Sequence, residues 1–179
     1  MSYTLSDAAV VQTRDILNSL SAILKKAESH PKASTLPQAK LAEDMLDLSF
    51  QVHFLTDLAQ KIIARTSGAA PLELSMDNCS TFEAYHARIA QVLEVVDKAD
   101  RDVIDKRVGE TTTMGIGPGM GEMEIKTRDY VAGYSVPNLF FHLMTAYSIL
   151  RKEGVDIGKR DYIDSFMSRY IPDEKKQKQ

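Results

Sequence analysis

The chain has 179 residues, 44% hydrophobic and 26% charged, with a formal net charge of −3. A chain of this size buries roughly 70% of its unfolded surface, so it can hold one core without disulfide or metal staples. The acidic balance offers no basic stripe for nucleic acid or an anionic membrane, and no apolar run reaches the ~18 residues of a membrane span.

The first helix is predicted from about Leu5 to Glu28. Val10, Leu17, Leu20 and Leu24 fall on one stripe, and Ser6 or Asp7 is available as the cap. A Pro-containing connection follows, and Pro37 opens a second helix over about Gln38 to Thr66, which stops before Gly68. Its main stripe is Leu41, Met45, Leu48, Val52, Leu55 and Ile62. Leu46, Phe50 and Phe54 form a second apolar set on the opposite side. A helix with two apolar faces is sandwiched, and the second face predicts a homodimer through Leu46, Phe50 and Phe54. His53 leans towards that face, and Asp57 stands one turn beyond it at the spacing of a surface ion pair.

Ala69 to Asn78 reads as a crossover, and Ser80-Thr81-Phe82-Glu83 carries a capping-box pattern for a third helix running to about Val108. Phe82, Tyr85, Ile89, Leu93 and Val96 make its stripe, with His86 on the flank. Cys79 is the only cysteine, so no disulfide framework exists within the chain and a reducing, cytoplasmic setting is expected. The N-terminal Met-Ser-Tyr-Thr-Leu-Ser-Asp has no signal-peptide pattern.

Between 110 and 128 the period changes to two. Met114 and Ile116, then Met123 and Ile125, alternate with polar or small residues around Gly117-Pro-Gly-Met-Gly121, which predicts a β-hairpin with a loose tip. These glycines lack the spacing, the Lys-Ser/Thr pair and the following helix of a phosphate-binding loop.

Ser135 is the expected cap of the fourth helix, with Pro137 in its first turn. The run to Leu150 is apolar on most of its circumference, as in a helix buried in a bundle. At about 100° per residue His142 shares a face with Leu139, Ala146, Ile149 and Leu150, so it points inward. A buried imidazole needs a partner, and near neutral pH it also suits proton transfer. Gln51, Tyr85, His86, Asn138 and Tyr147 supply polar tips on otherwise apolar surfaces, the composition of a small-molecule pocket around His142. Gly154 ends this helix, a short terminal helix follows from Gly158 to about Tyr170, and residues 173–179 form a charged tail expected to be disordered.

The stretch Pro137-Asn138-Leu-Phe-Phe-His142-Leu-Met-Thr145-Ala-Tyr147-Ser-Ile-Leu150 resembles the signature of an uncharacterised microbial family, a domain of unknown function. The likeness extends through Gly154, Gly158-Lys159 and Asp161-Tyr162, and upstream through Met45 to His53, so it spans nearly the whole chain. That family is grouped with the DinB/YfiT-like superfamily of four-helix bundles. The resemblance implies a divalent metal, zinc or nickel, held by a histidine of helix two and a His-x-x-x-His pair of helix four. It also implies chemistry related to thiol-dependent transferases and isomerases. Carried over by position, His53 stands for the helix-two ligand and His142 for one helix-four ligand. The second helix-four position is Asn138 or Ala146, which leaves the third ligand missing and makes an absent metal the expectation.

Together these readings predict a mostly all-α, DinB-like up-down four-helix bundle in one domain over 1–172, with a hairpin inserted at 110–128. In the up-down arrangement helices two and four run the same way. Two functions follow. One is an enzyme, metal-dependent or metal-free, acting on a small molecule at His142; the other is a non-catalytic binding or homodimerisation module with no metal. An open polar pocket at His142 belongs to the first, and a packed His142 to the second.

Overall fold

A computed structural model describes residues 2–117 and 119–172. Pro118 at the hairpin tip and the charged tail 173–179 lie outside the described residues.

The chain is mostly helical, with the expected hairpin. Asp7–Gln12 is a π-helical turn that runs directly into α1 (Thr13–Glu28). After a 3-10 turn at Ala33–Gln38 come α2 (Leu48–Ser67), α3 (Phe82–Asp97) and the short α4 (Arg101–Lys106). Strands β1 (Thr111–Gly115) and β2 (Glu122–Lys126) pair antiparallel, Thr111 opposite Lys126 and Gly115 opposite Glu122. The single turn α5 (Thr127–Asp129), a π-helical turn at Tyr130–Ser135 and α6 (Val136–Lys152) follow without a break, and α7 (Lys159–Met167) leads into a 3-10 turn at Ser168–Tyr170.

Three boundaries differ from expectation. The second helix starts at Leu48 rather than Gln38, because Asp47 caps it: its carboxylate accepts the Phe50 N–H at 2.9 Å. Ala39 upstream is extended, so Leu41, Met45 and Leu46 belong to the approach and not to the helix. The third helix ends at Asp97 rather than near Val108. Asp100 starts a new one, accepting from the Asp102 and Val103 amides at 3.0 and 3.2 Å. The fourth helix does not begin at Ser135, whose backbone is already helical and whose Oγ is buried without a partner. Helical backbone begins instead at Thr127, directly after β2, and the wide turn at Tyr130–Ser135 absorbs Pro137. The Val136 N–H reaches back five residues to Val131, and the Asn138 amide donates to the Tyr134 carbonyl at 2.8 Å.

Cross-helix bonds give the directions. Glu28 meets His86 and Arg14 meets Asp97, so α1 and α3 run oppositely. Ser49 meets Tyr85 and His53 meets Arg88, so α2 and α3 run the same way, joined by the 69–81 crossover. Gln51 meets His142 and Arg65 meets Tyr130, so α2 and α6 are antiparallel, contrary to the expected common direction. Each of α1 and α2 packs on both α3 and α6, and α7 lies against α1. Ile16, Leu20, Leu24, Val52, Leu55, Ile62, Tyr85, Ile89, Leu139, Leu143 and Ile149 are buried in the core.

Glycine is required at two helix ends. Gly154 (φ 89°) lets the Val155 N–H return to Leu150 and its own N–H to Arg151, closing α6. Gly68 (φ 80°) ends α2 against the Arg107 guanidinium, which a Cβ would meet at 3.0 Å. No helix among the described residues is long and apolar enough to cross a membrane.

Candidate functional site

His142 is buried at 7% exposure in α6. Its Nδ1 lies 2.8 Å from Oε1 of Gln51 on α2. The amide's orientation follows from its other bond, Nε2 donating to the Leu46 carbonyl at 3.0 Å. Oε1 therefore accepts, Nδ1 carries the imidazole proton, and the neutral ring keeps a lone pair only at Nε2. The rings of Phe54, Phe141 and Phe50 close around it at 4.5, 5.2 and 6.1 Å between centroids. Burial pushes its pKa down to about 4. This is a packed histidine whose ring proton is satisfied.

Gln51 and His142 are the two expected site residues that the fold brings together. Tyr85 is fully buried and bonds Ser49 Oγ at 2.7 Å, while Ser49 donates to the Pro37 carbonyl at 3.0 Å. His86 faces α1, its Nε2 3.3 Å from Glu28 Oε2. Asn138 is engaged with its own helix, and Tyr147 packs edge-on against Tyr162.

His53 points away from His142, towards α3. Its Nδ1 lies 2.6 Å from Nη1 of Arg88. A guanidinium can only donate, so Nδ1 accepts and the neutral ring carries its proton on Nε2. Burial first, then the Arg88 charge, push the His53 pKa down. His53 lines a cleft of about 650 Å³ with Asp57, Lys61 and residues 71–75. Asp57 pairs with Lys61 across one helical turn and with the Gln60 amide at 3.0 Å, and not with His53.

Two side chains pin the crossover as the wall of this cleft. Buried Gln60 takes both backbone groups of Leu72, accepting its N–H at 2.8 Å and donating to its carbonyl at 3.1 Å. Arg88 donates through Nη2 to the Ser75 carbonyl. Loop backbone is thereby held as if a strand ran beside it. Beyond that wall a second cleft of about 300 Å³ is lined by Arg88, Asn78 and Gln91.

Sequence reasoning missed Arg88, Gln60 and Lys61. A signal was present for Arg88, which stands one turn from both Tyr85 and Val92 on the apolar stripe of the third helix, where a charge is costly.

The metal that the family resemblance implies has no matching donor set here. No group of three His, Cys, Asp or Glu side chains that could hold an ion exists among the described residues. His53 and His142 diverge to different neighbours, and the His53 Nδ1 lone pair is taken by a cation. Gln51, not His53, occupies the helix-two position facing His142.

The family described as domain of unknown function (DUF1993) matches residues 5–163. The crystal structure of a DinB family member protein from Shewanella denitrificans is similar at 30% identity and a TM-score of 0.79, over 89% of this chain and 91% of that one. No curated protein sequence matches.

Proposed function

The chain belongs to the DUF1993 family, with a DinB-like fold, and from that premise we propose that it is a metal-free binding module. Its ligand is a small polar molecule held between α2 and the 69–81 crossover. One observation carries this reading: the cleft of about 650 Å³ opens at His53, whereas His142 is packed between Gln51 and three phenylalanines. Both histidines have an Nδ1 already committed, and at neither do three His, Cys, Asp or Glu side chains gather among the described residues, so the donor chemistry favours hydrogen bonding over metal ligation. The His53 Nε2–H, the Lys61–Asp57 pair and the wall at Leu72 to Ser75 give the cleft directional polar groups on a fixed frame.

A thermal-shift screen of the full chain against a small-molecule library tests it. Genuine ligands raise the melting temperature and perturb the amides of Leu72 to Ser75 in two-dimensional NMR. Ligands that perturb the surroundings of Phe141 and leave the crossover untouched contradict it.

A second reading is self-association through the face expected from Leu46, Phe50 and Phe54. It is supported by Leu46 at 53% and Phe141 at 56% exposure, with the Phe141 ring and the half-buried Phe50 and Phe54 rings all packed about His142. Apolar side chains gathered this way on one surface are the mark of a contact site.

A further inference from the structure

Arg88 is 8% exposed, yet none of the ion pairs among the described residues includes it. Its two protein acceptors are both uncharged, the His53 imidazole and the Ser75 carbonyl. A guanidinium has five N–H donors, and a buried one is ordinarily matched by a carboxylate. Here three hydrogens have no protein acceptor among the described residues, and the side chain lines the smaller cleft, of about 300 Å³, across the crossover from the cleft at His53.

Its surroundings indicate the charge of the missing partner. Asp57 and Lys61 satisfy each other on the His53 side. Glu73, on the crossover, is exposed and lines both clefts without pairing with Arg88. Arg88 is therefore left without an ionic partner among the described residues. A singly charged anion matches it, and a doubly charged phosphate would face Glu73 as well.

We propose that the smaller cleft takes a small monocarboxylate, its carboxylate seated on the Arg88 guanidinium that His53 and the Ser75 carbonyl hold in place. This site is separate from the cleft at His53, with which it shares the wall at Glu73 to Ser75. The carboxylate accepts a fork of two N–H bonds from Arg88, the geometry in which arginine discriminates best. The rest of the molecule lies along Leu74 and Ser75.

The test is an NMR titration of the full-length protein in chloride-free buffer with acetate, and with acetamide as its neutral isostere. Acetate is expected to give saturable shifts at the Arg88 Nε–H, the His53 ring nitrogens and the Ser75 amide, with acetamide giving none. Arg88→Gln is expected to weaken the acetate response about tenfold or more, and Arg88→Lys to recover part of it. Should Arg88→Gln fail to fold, the wild-type contrast between acetate and acetamide still decides. Saturation by acetamide as tight as by acetate overturns the carboxylate assignment and leaves the cleft reading standing. No saturable response to either probe, together with an empty small-molecule screen, overturns both.

Discussion

Gln51 Oε1 holds the Nδ1 proton of His142 at 2.8 Å, and this bond ties α2 to α6 at the point where the two antiparallel helices carry their buried polar groups. The same amide anchors the Leu46 carbonyl at 3.0 Å, so one side chain fixes both the imidazole and the approach to α2. An arrangement with both amide ends and the ring proton satisfied is a structural lock. The open cleft lies elsewhere, at His53.

Removing the lock is costly. Gln51→Leu leaves a buried imidazole N–H without an acceptor, and the expected loss of stability is about 1–3 kcal/mol. Urea unfolding followed by circular dichroism measures it. An unchanged midpoint would mean that the bond carries no weight.

The histidine also sets a pH dependence. Burial pushes His142 down to about 4, whereas an unfolded histidine titrates near ~6.5. Between these values the unfolded chain binds a proton that the native chain refuses, so stability declines as pH falls from about 6.5 and levels off below about 4. The slope approaches about 1.4 kcal/mol per pH unit. His53, also pushed down, acts with the same sign. His142→Asn should flatten most of the dependence in unfolding curves recorded across that range, and a slope unchanged by the substitution would assign it to other groups.

The Asp47 cap makes a local prediction. Asp47→Ala removes the acceptor for the Phe50 N–H, and about 1 kcal/mol of stability is expected to go with it. Hydrogen exchange should quicken in the first turn of α2, at Phe50 above all, and uniform exchange along the helix would contradict the placement of its start.

These residues also mark what the sequence made legible. Periodicity two identified the hairpin, and the angular position of His142 among Leu139, Ala146 and Ile149 put it inside. The start of α2 was harder, because Pro37 is a strong opening signal and Leu41 and Met45 continue the stripe by coincidence. Asp47 outweighs them by satisfying an amide that Pro37 cannot. The π turn before α6 left no trace, since Ser135 followed closely by a proline reads as a cap whichever way the chain arrives. The site was obscured for a topological reason. Two parallel helices joined by a crossover bring Arg88 to His53, and a histidine carried over by position could not show which side of α2 it would face.

Self-association has its own outcome. Light scattering at micromolar concentration is expected to give twice the chain mass, and Phe141→Asp, at an exposed position, to return it to one without unfolding the bundle. A clean monomer for the wild-type chain would remove this reading and leave the cleft unaffected.

Metal content tests the central claim most directly. Full-length protein purified without a histidine tag would be incubated with excess zinc or nickel, desalted and assayed by elemental analysis, alongside His53→Ala and His142→Ala. Metal far below one per chain, and equal in all three proteins, is the expected result. Zinc or nickel near one per chain, lost on either substitution, would contradict the account of His53 and His142 as hydrogen-bonded side chains and restore a metal centre.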